Sequence, residues 1–156
     1  QVDSPQKLYN EPDNLFVAGF IGSPQMNFLD CVCKVEGDKV TLTSGDATYV
    51  MPANKAKALK DGGYDGKTVV LGIRPEDVHD EPMFIASSPN TVIESKIRVY
   101  EMLGAEVYLY FDYAGSSMTA RVDPRTTART GDTVKFAFDA EKIHVFDKET
   151  ECTITN

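Results

Sequence analysis

The chain has no tryptophan, only two histidines and only three cysteines, and its basic residues are outnumbered. Each scarcity excludes something. With 16 lysines and arginines against 24 acidic residues, the net charge is −8 at pH 7. Affinity for phosphate backbones rests largely on lysine and arginine, so this balance argues against nucleic acid as a partner. No apolar run nears the ~20 residues of a membrane helix, the longest being Leu15 to Ile21, so direct membrane insertion is not expected. The opening Gln1-Val2-Asp3-Ser4-Pro5 lacks the basic start and apolar stretch of a signal peptide. An odd number of cysteines makes no disulfide framework and favours a reducing cytosol. There is no GxxxxGKS/T phosphate loop, no GxGxxG turn, and no Ser-His-Asp or Cys-His set. The sequence nominates no catalytic, cofactor-binding or metal-ligating residue.

What remains is 156 residues, 42% hydrophobic and 26% charged, which suits one globular domain or one domain with an attached segment. Residues 1–24 have a helical texture. Ser4-Pro5 reads as an N-cap and first-turn proline opening a short helix, and Glu11-Pro12 breaks it. Asp13 or Asn14 caps a second helix carrying Phe16, Val17, Phe20 and Ile21 on one face, with Gly22 and Pro24 ending it. From Asn27 the period falls to two. Leu29, Cys31, Cys33 and Val35 share a face, and further strands follow around Val40, Tyr49, Val69 to Leu71, Ile93 to Val99, Val107, Met118, Phe136 and Val145. One helix, Asn54 to Lys60, interrupts them. This count of short strands indicates a mainly β barrel or sandwich with two short N-terminal helices and one short internal helix. The Pro/Ser/Asn stretch at 81–90 reads either as a linker between two β subunits joined near 80–91 or as a long loop within one.

Cys31-x-Cys33 places both thiols on the inward face of a strand, which reads as core packing. Glu76-Asp77-x-His79-Asp80-Glu81 reads as a solvated acidic turn, and His144 as a surface histidine beside Lys142. Gly72-Ile73-Arg74-Pro75-Glu76 ends a buried strand. There Arg74 and Glu76 either brace the turn around Pro75 or meet another protein module.

Ser4-Pro5-Gln6-Lys7-Leu8-Tyr9-Asn10-Glu11-Pro12 and Phe16-Val17-Ala18-Gly19-Phe20-Ile21-Gly22-Ser23-Pro24-Gln25-Met26-Asn27-Phe28 resemble the segment that follows the nucleotide-binding core of carbohydrate ABC-importer ATPases of the maltose and multiple-sugar type. Gly72 to Glu76, Val99 to Glu106 and Gly131 to Asp147 resemble the same family's regulatory domain. The resemblance implies a helical tail of a missing ATPase domain at 1–24 and an oligonucleotide-binding-type (OB or TOBE) β-barrel regulatory domain at 25–156. It implies a non-catalytic regulatory and dimerisation role in sugar import, at the inner face of the cell membrane. ATP and Mg2+ are expected only in the missing parent domain. The implied partners are a second copy, the ATPase domain, the membrane subunits and a regulatory protein. Phe16, Val17, Phe20 and Ile21 are the residues expected to contact the ATPase domain. The competing implication is a module for a small oxyanion such as molybdate, with hydroxyls at Ser87-Ser88 and Ser116-Ser117-Met118-Thr119 but no basic frame around them.

Overall fold

A computed structural model describes residues 2–22 and 24–156; Gln1 and Ser23, the latter inside the family-like segment, lie outside the described residues. Helix α1 (Pro5–Asn10) starts where the Ser4 side chain accepts from the Lys7 amide, and α2 (Leu15–Phe20) where the Asn14 side chain accepts from the Val17 amide. These caps satisfy amides that a first helical turn otherwise leaves unpaired.

Two sheets follow. The first runs β11-β10-β4-β1-β2-β3, with β1 Asn27–Glu36, β2 Lys39–Ser44, β3 Ala47–Val50, β4 Thr68–Ile73, β10 His144–Asp147 and β11 Thr153–Thr155. The second runs β5-β9-β6-β7-β8, with β5 Val78–His79, β6 Val92–Leu103, β7 Glu106–Tyr113, β8 Ser116–Val122 and β9 Thr133–Phe138. Helix α3 (Ala53–Asp61) joins β3 to β4. The sheets close on one another in a nearly complete OB-type barrel. Leu29, Cys31, Leu42 and Leu71 of the first and Ile97, Leu109, Phe111 and Phe136 of the second form one continuous buried core. Within it Phe111 stacks on Phe136 at 4.4 Å, and Tyr49 stacks on Phe138 at 5.3 Å. Where β1 meets β8 no strand pairing forms. Instead the Asn27 side-chain amide donates to the Thr119 carbonyl at 2.8 Å and accepts from its N–H at 2.7 Å, imitating a backbone pair.

Stretch 81–90 carries a further helix, α4 (Pro82–Ser87), and a 3-10 turn at Pro89–Thr91. Glu81-Pro82 was legible as a break but also fits proline at a first helical position. Strands β5 and β11 carry too few residues to give a period. The expectation of a surface His144 is corrected: it is buried. Alternation fails at β10 because the sheet has no wet face there. A second apolar cluster of Ala18, Met26, Val70 and Phe146 lies over β4 and β10, with α2 as its lid.

Candidate functional site

The motif at the end of β4 and the helical tail meet in one joint. Gly72 lies where an added Cβ would come within 2.5 Å of Met26 Sδ and 3.0 Å of a Phe146 ring carbon. The Met26 and Phe146 side chains fill the space that a β-carbon at this position would take. Gly72→Ala is expected to lower the unfolding free energy by about 1–3 kcal/mol through overpacking, read as a lower urea midpoint at unchanged m-value.

Arg74 follows, only 2% exposed. Its Nη1 donates to the Ile21 carbonyl at 2.6 Å and its Nη2 to the Tyr9 carbonyl at 3.0 Å, while its guanidinium lies 3.8 Å from the centre of the Tyr9 ring. The Ile21 carbonyl is one that the end of α2 leaves open, and Gly22, at φ +110°, turns the chain so that it faces the guanidinium. Pro75 then opens a 3-10 turn (Pro75–Asp77), and Glu76 accepts a hydrogen bond from the Tyr9 hydroxyl. Arg74 and Glu76 thus grip Tyr9 from two sides and do not bond to each other across Pro75. Burial lowers the Arg74 pKa to about 10, which leaves it cationic at neutral pH. Among the described residues no carboxylate stands within 4 Å of it, and its Nε is buried without a partner.

The four apolar residues expected to contact an ATPase domain separate. Phe16 and Phe20 point outward, 75% and 70% exposed, with their rings 5.8 Å apart and nearly parallel. Val17 is buried within this chain, and half-buried Ile21 lends its carbonyl to Arg74. Beside the joint a cavity of about 500 Å³ is bounded by Tyr9, Arg74, Glu76, Lys142, His144 and Asn156. Here His144 Nδ1–H donates to Asn156 Oδ1 at 2.8 Å. Burial, aided by the positive Arg74, Lys55 and Lys142, lowers its pKa to about 4.

The remaining sequence candidates lie elsewhere. Cys31 and Cys33 are free thiols in the core, and burial pushes Cys31 up to about 12, which keeps it protonated at neutral pH. The segment 76–81 is half-buried and not a solvated turn. Val78 enters the core beside Phe138 and carries its neighbours inward. The Ser87 hydroxyl donates to the Phe84 carbonyl at 2.9 Å and the Ser117 hydroxyl to Asp112 at 3.3 Å, so neither is poised for an anion. Tyr9 is the member of the joint that sequence reasoning missed. It lay inside the family-like segment, but nothing local tied it to a motif some sixty residues downstream.

Residues 22–78 match the MalK OB fold domain and residues 71–146 match the TOBE domain. The two matches overlap across the strand end that carries Gly72 and Arg74. The chain is 42% identical over 154 residues to an oligosaccharides import ATP-binding protein, MsmX, of Bacillus subtilis, covering 99% of this chain and 41% of that protein. It is 38% identical to the multiple sugar-binding transport ATP-binding protein MsmK of Streptococcus mutans, covering 99% and 40%. A third relative, 37% identical with 99% and 41% covered, is the osmoprotective compounds uptake ATP-binding protein GgtA of Synechocystis. The chain therefore spans about two fifths of the length of these relatives. Among solved structures the cytoplasmic molybdate-binding protein ModG shares the fold, at TM-score 0.56 and 15% identity over 76% of this chain and 94% of that one.

Proposed function

Since the chain belongs to the MalK OB-fold and TOBE-domain family of sugar ABC-importer ATP-binding proteins, we propose that it is the regulatory and subunit-pairing part of such a subunit and is not itself catalytic. The observation that carries this reading is the joint. Arg74 and Glu76 fasten the helical tail to the barrel while the same tail presents Phe16 and Phe20 outward. In the parent protein these rings pack on the preceding ATP-binding domain, which holds ATP and Mg2+. The parent sits at the inner face of the membrane with the transporter's membrane subunits, and the barrel is open to a regulatory protein. The cargo is a carbohydrate.

Uncovered, the two rings are expected to pair this chain with a second copy, since burying each is worth roughly 1.5–3 kcal/mol. Light scattering across a dilution series checks this. The double substitution Phe16→Ser, Phe20→Ser is the right probe, because deleting the tail would also remove both carbonyls that Arg74 binds. A concentration-dependent dimer that the substitution abolishes supports the reading. A monomer throughout rejects pairing by this chain, and a dimer that survives puts the contact on the barrel. Calorimetric titration with ATP and with molybdate tests the rest. Micromolar affinity for ATP would overturn the non-catalytic role, and a saturating heat with molybdate would make the barrel an oxyanion module.

A further inference from the structure

Three side chains outside the joint converge from separate elements. Asp77 closes the 3-10 turn after Arg74, His79 lies on β5, and Asp139 caps the 3-10 turn Ala140–Lys142 ahead of β10. One ligand atom from each, a carboxylate oxygen of both aspartates and an imidazole nitrogen, lies within 4.8 Å of the other two, and all three residues are half-buried. The backbone holds them in place: the Asp139 amide donates to the Asp77 carbonyl at 2.9 Å, and β5 pairs with β9 through Val78 and Phe138.

We propose that Asp77, His79 and Asp139 form a binding site for a divalent transition-metal ion of the Zn2+ class. Two carboxylates and an imidazole are a borderline oxygen and nitrogen donor set, which first-row transition ions accept and Mg2+ does not favour. Ligands about 2.0–2.2 Å from a tetrahedral ion lie roughly 3.5 Å apart, so small side-chain rotations close the set.

Two further observations point the same way. The His79 ring is already fixed, stacked on Phe84 at 3.9 Å between ring centres, with Nδ1 3.1 Å from Glu81 Oε2. A carboxylate behind an imidazole orients it and raises its basicity in metal sites. The two aspartates also bring their carboxylates together without a direct cationic partner. Among the described residues no lysine or arginine forms an ion pair with either, and Arg74, Lys142 and His79 act on Asp77 only at longer range. A bound dication removes that repulsion and ties the segment after the joint to the segment before β10.

The test uses the chelator-treated chain with Zn2+, and with Mg2+ as the comparison ion. Calorimetry is expected to show one Zn2+ per chain, bound much more tightly than Mg2+. Because the chain has only two histidines, proton NMR reads the site without any substitution. The His79 ring resonances are expected to shift with Zn2+ while those of buried His144 stay. Asp77→Asn, Asp139→Asn and His79→Gln are each expected to weaken binding roughly tenfold or more. Asp139→Asn keeps the cap on its turn, so its loss of binding is not a loss of fold. Absence of saturable Zn2+ binding, an unmoved His79 ring, or binding lost on replacing the exposed free thiol of Cys152 (Cys152→Ser) and kept in the three variants would overturn the proposal.

Discussion

Arg74→Ala is expected to lower the unfolding free energy by about 2–4 kcal/mol and to loosen the helical tail from the barrel. The guanidinium makes two charge-assisted bonds to backbone carbonyls and stacks on Tyr9, and all of these contacts cross from β4 to the tail. Hydrogen bonds from a charged donor are worth about 1.5–3 kcal/mol each, and the stacking about 0.5–2 kcal/mol. Against this stands the cost of holding a cation with no carboxylate partner in a buried place, which its removal relieves. The net remains a large loss, because the Ile21 and Tyr9 carbonyls are left without their donor. Arg74→Lys is expected to rescue little, since one ammonium cannot reproduce a planar fork spanning two carbonyls. Urea unfolding followed by circular dichroism reads the stability, and amide exchange in α1 and α2 reads the tail. An unchanged midpoint with fast exchange confined to the tail would make Arg74 a fastener and no part of the barrel's stability.

The second large effect is a loss of stability in acid that belongs to His144. Its ordinary pKa of 6.5 in the unfolded chain falls to about 4 in the fold because burial disfavours the cation. Between these values the unfolded chain binds the extra proton, so the stability present above pH 6.5 drains away as pH falls towards 4. The full effect is about 3 kcal/mol. Asp77 runs the opposite way, since burial and the neighbouring Glu76 and Asp139 push its carboxyl up to about 6. The overall acid profile therefore blends the two. The clean measurement is the difference between the wild type and His144→Gln, compared by urea midpoint from pH 7.5 to 4.5. The variant should lose markedly less stability across this range, and parallel curves would show that His144 is not buried neutral.

Much of the architecture was legible because it rests on local chemistry. Ser4-Pro5 and Asn14 announce their helices through caps, and the alternation of Leu29, Cys31 and Cys33 lays down β1 before any partner is known. The failures share one cause. Alternation decides which face of a strand is inward only when the other face is wet. On β10 that outer face is covered, Phe146 by the cluster under α2 and His144 by Asn156 and the Arg74 and Lys55 side chains, so His144 between two apolar residues looked exposed and is not. Likewise Arg74 and Glu76 were legible as a pair around Pro75, but their true partner, Tyr9, is a tertiary neighbour that no spacing rule reaches. The metal-ligand cluster was half visible. Asp77 and His79 stood in an acidic run, whereas Asp139 joins them only through the pairing of β5 with β9.

Strand β4 has a consequence for how the chain is made. It is flanked by β1 on one side and β10 on the other, with Gly72 opposite His144 and Val69 opposite Asp147. The first neighbour is already synthesised when β4 leaves the ribosome, but the second arrives only after β5 to β9 have been made. Until then β4 is an open edge carrying apolar residues on both faces, the kind of surface that recruits foreign strands. Closing so long a loop is entropically costly, so this pairing belongs to the slow end of folding. A chain released before Asp147 would therefore be expected to fail by strand-to-strand association with its neighbours more than by simple loss of structure.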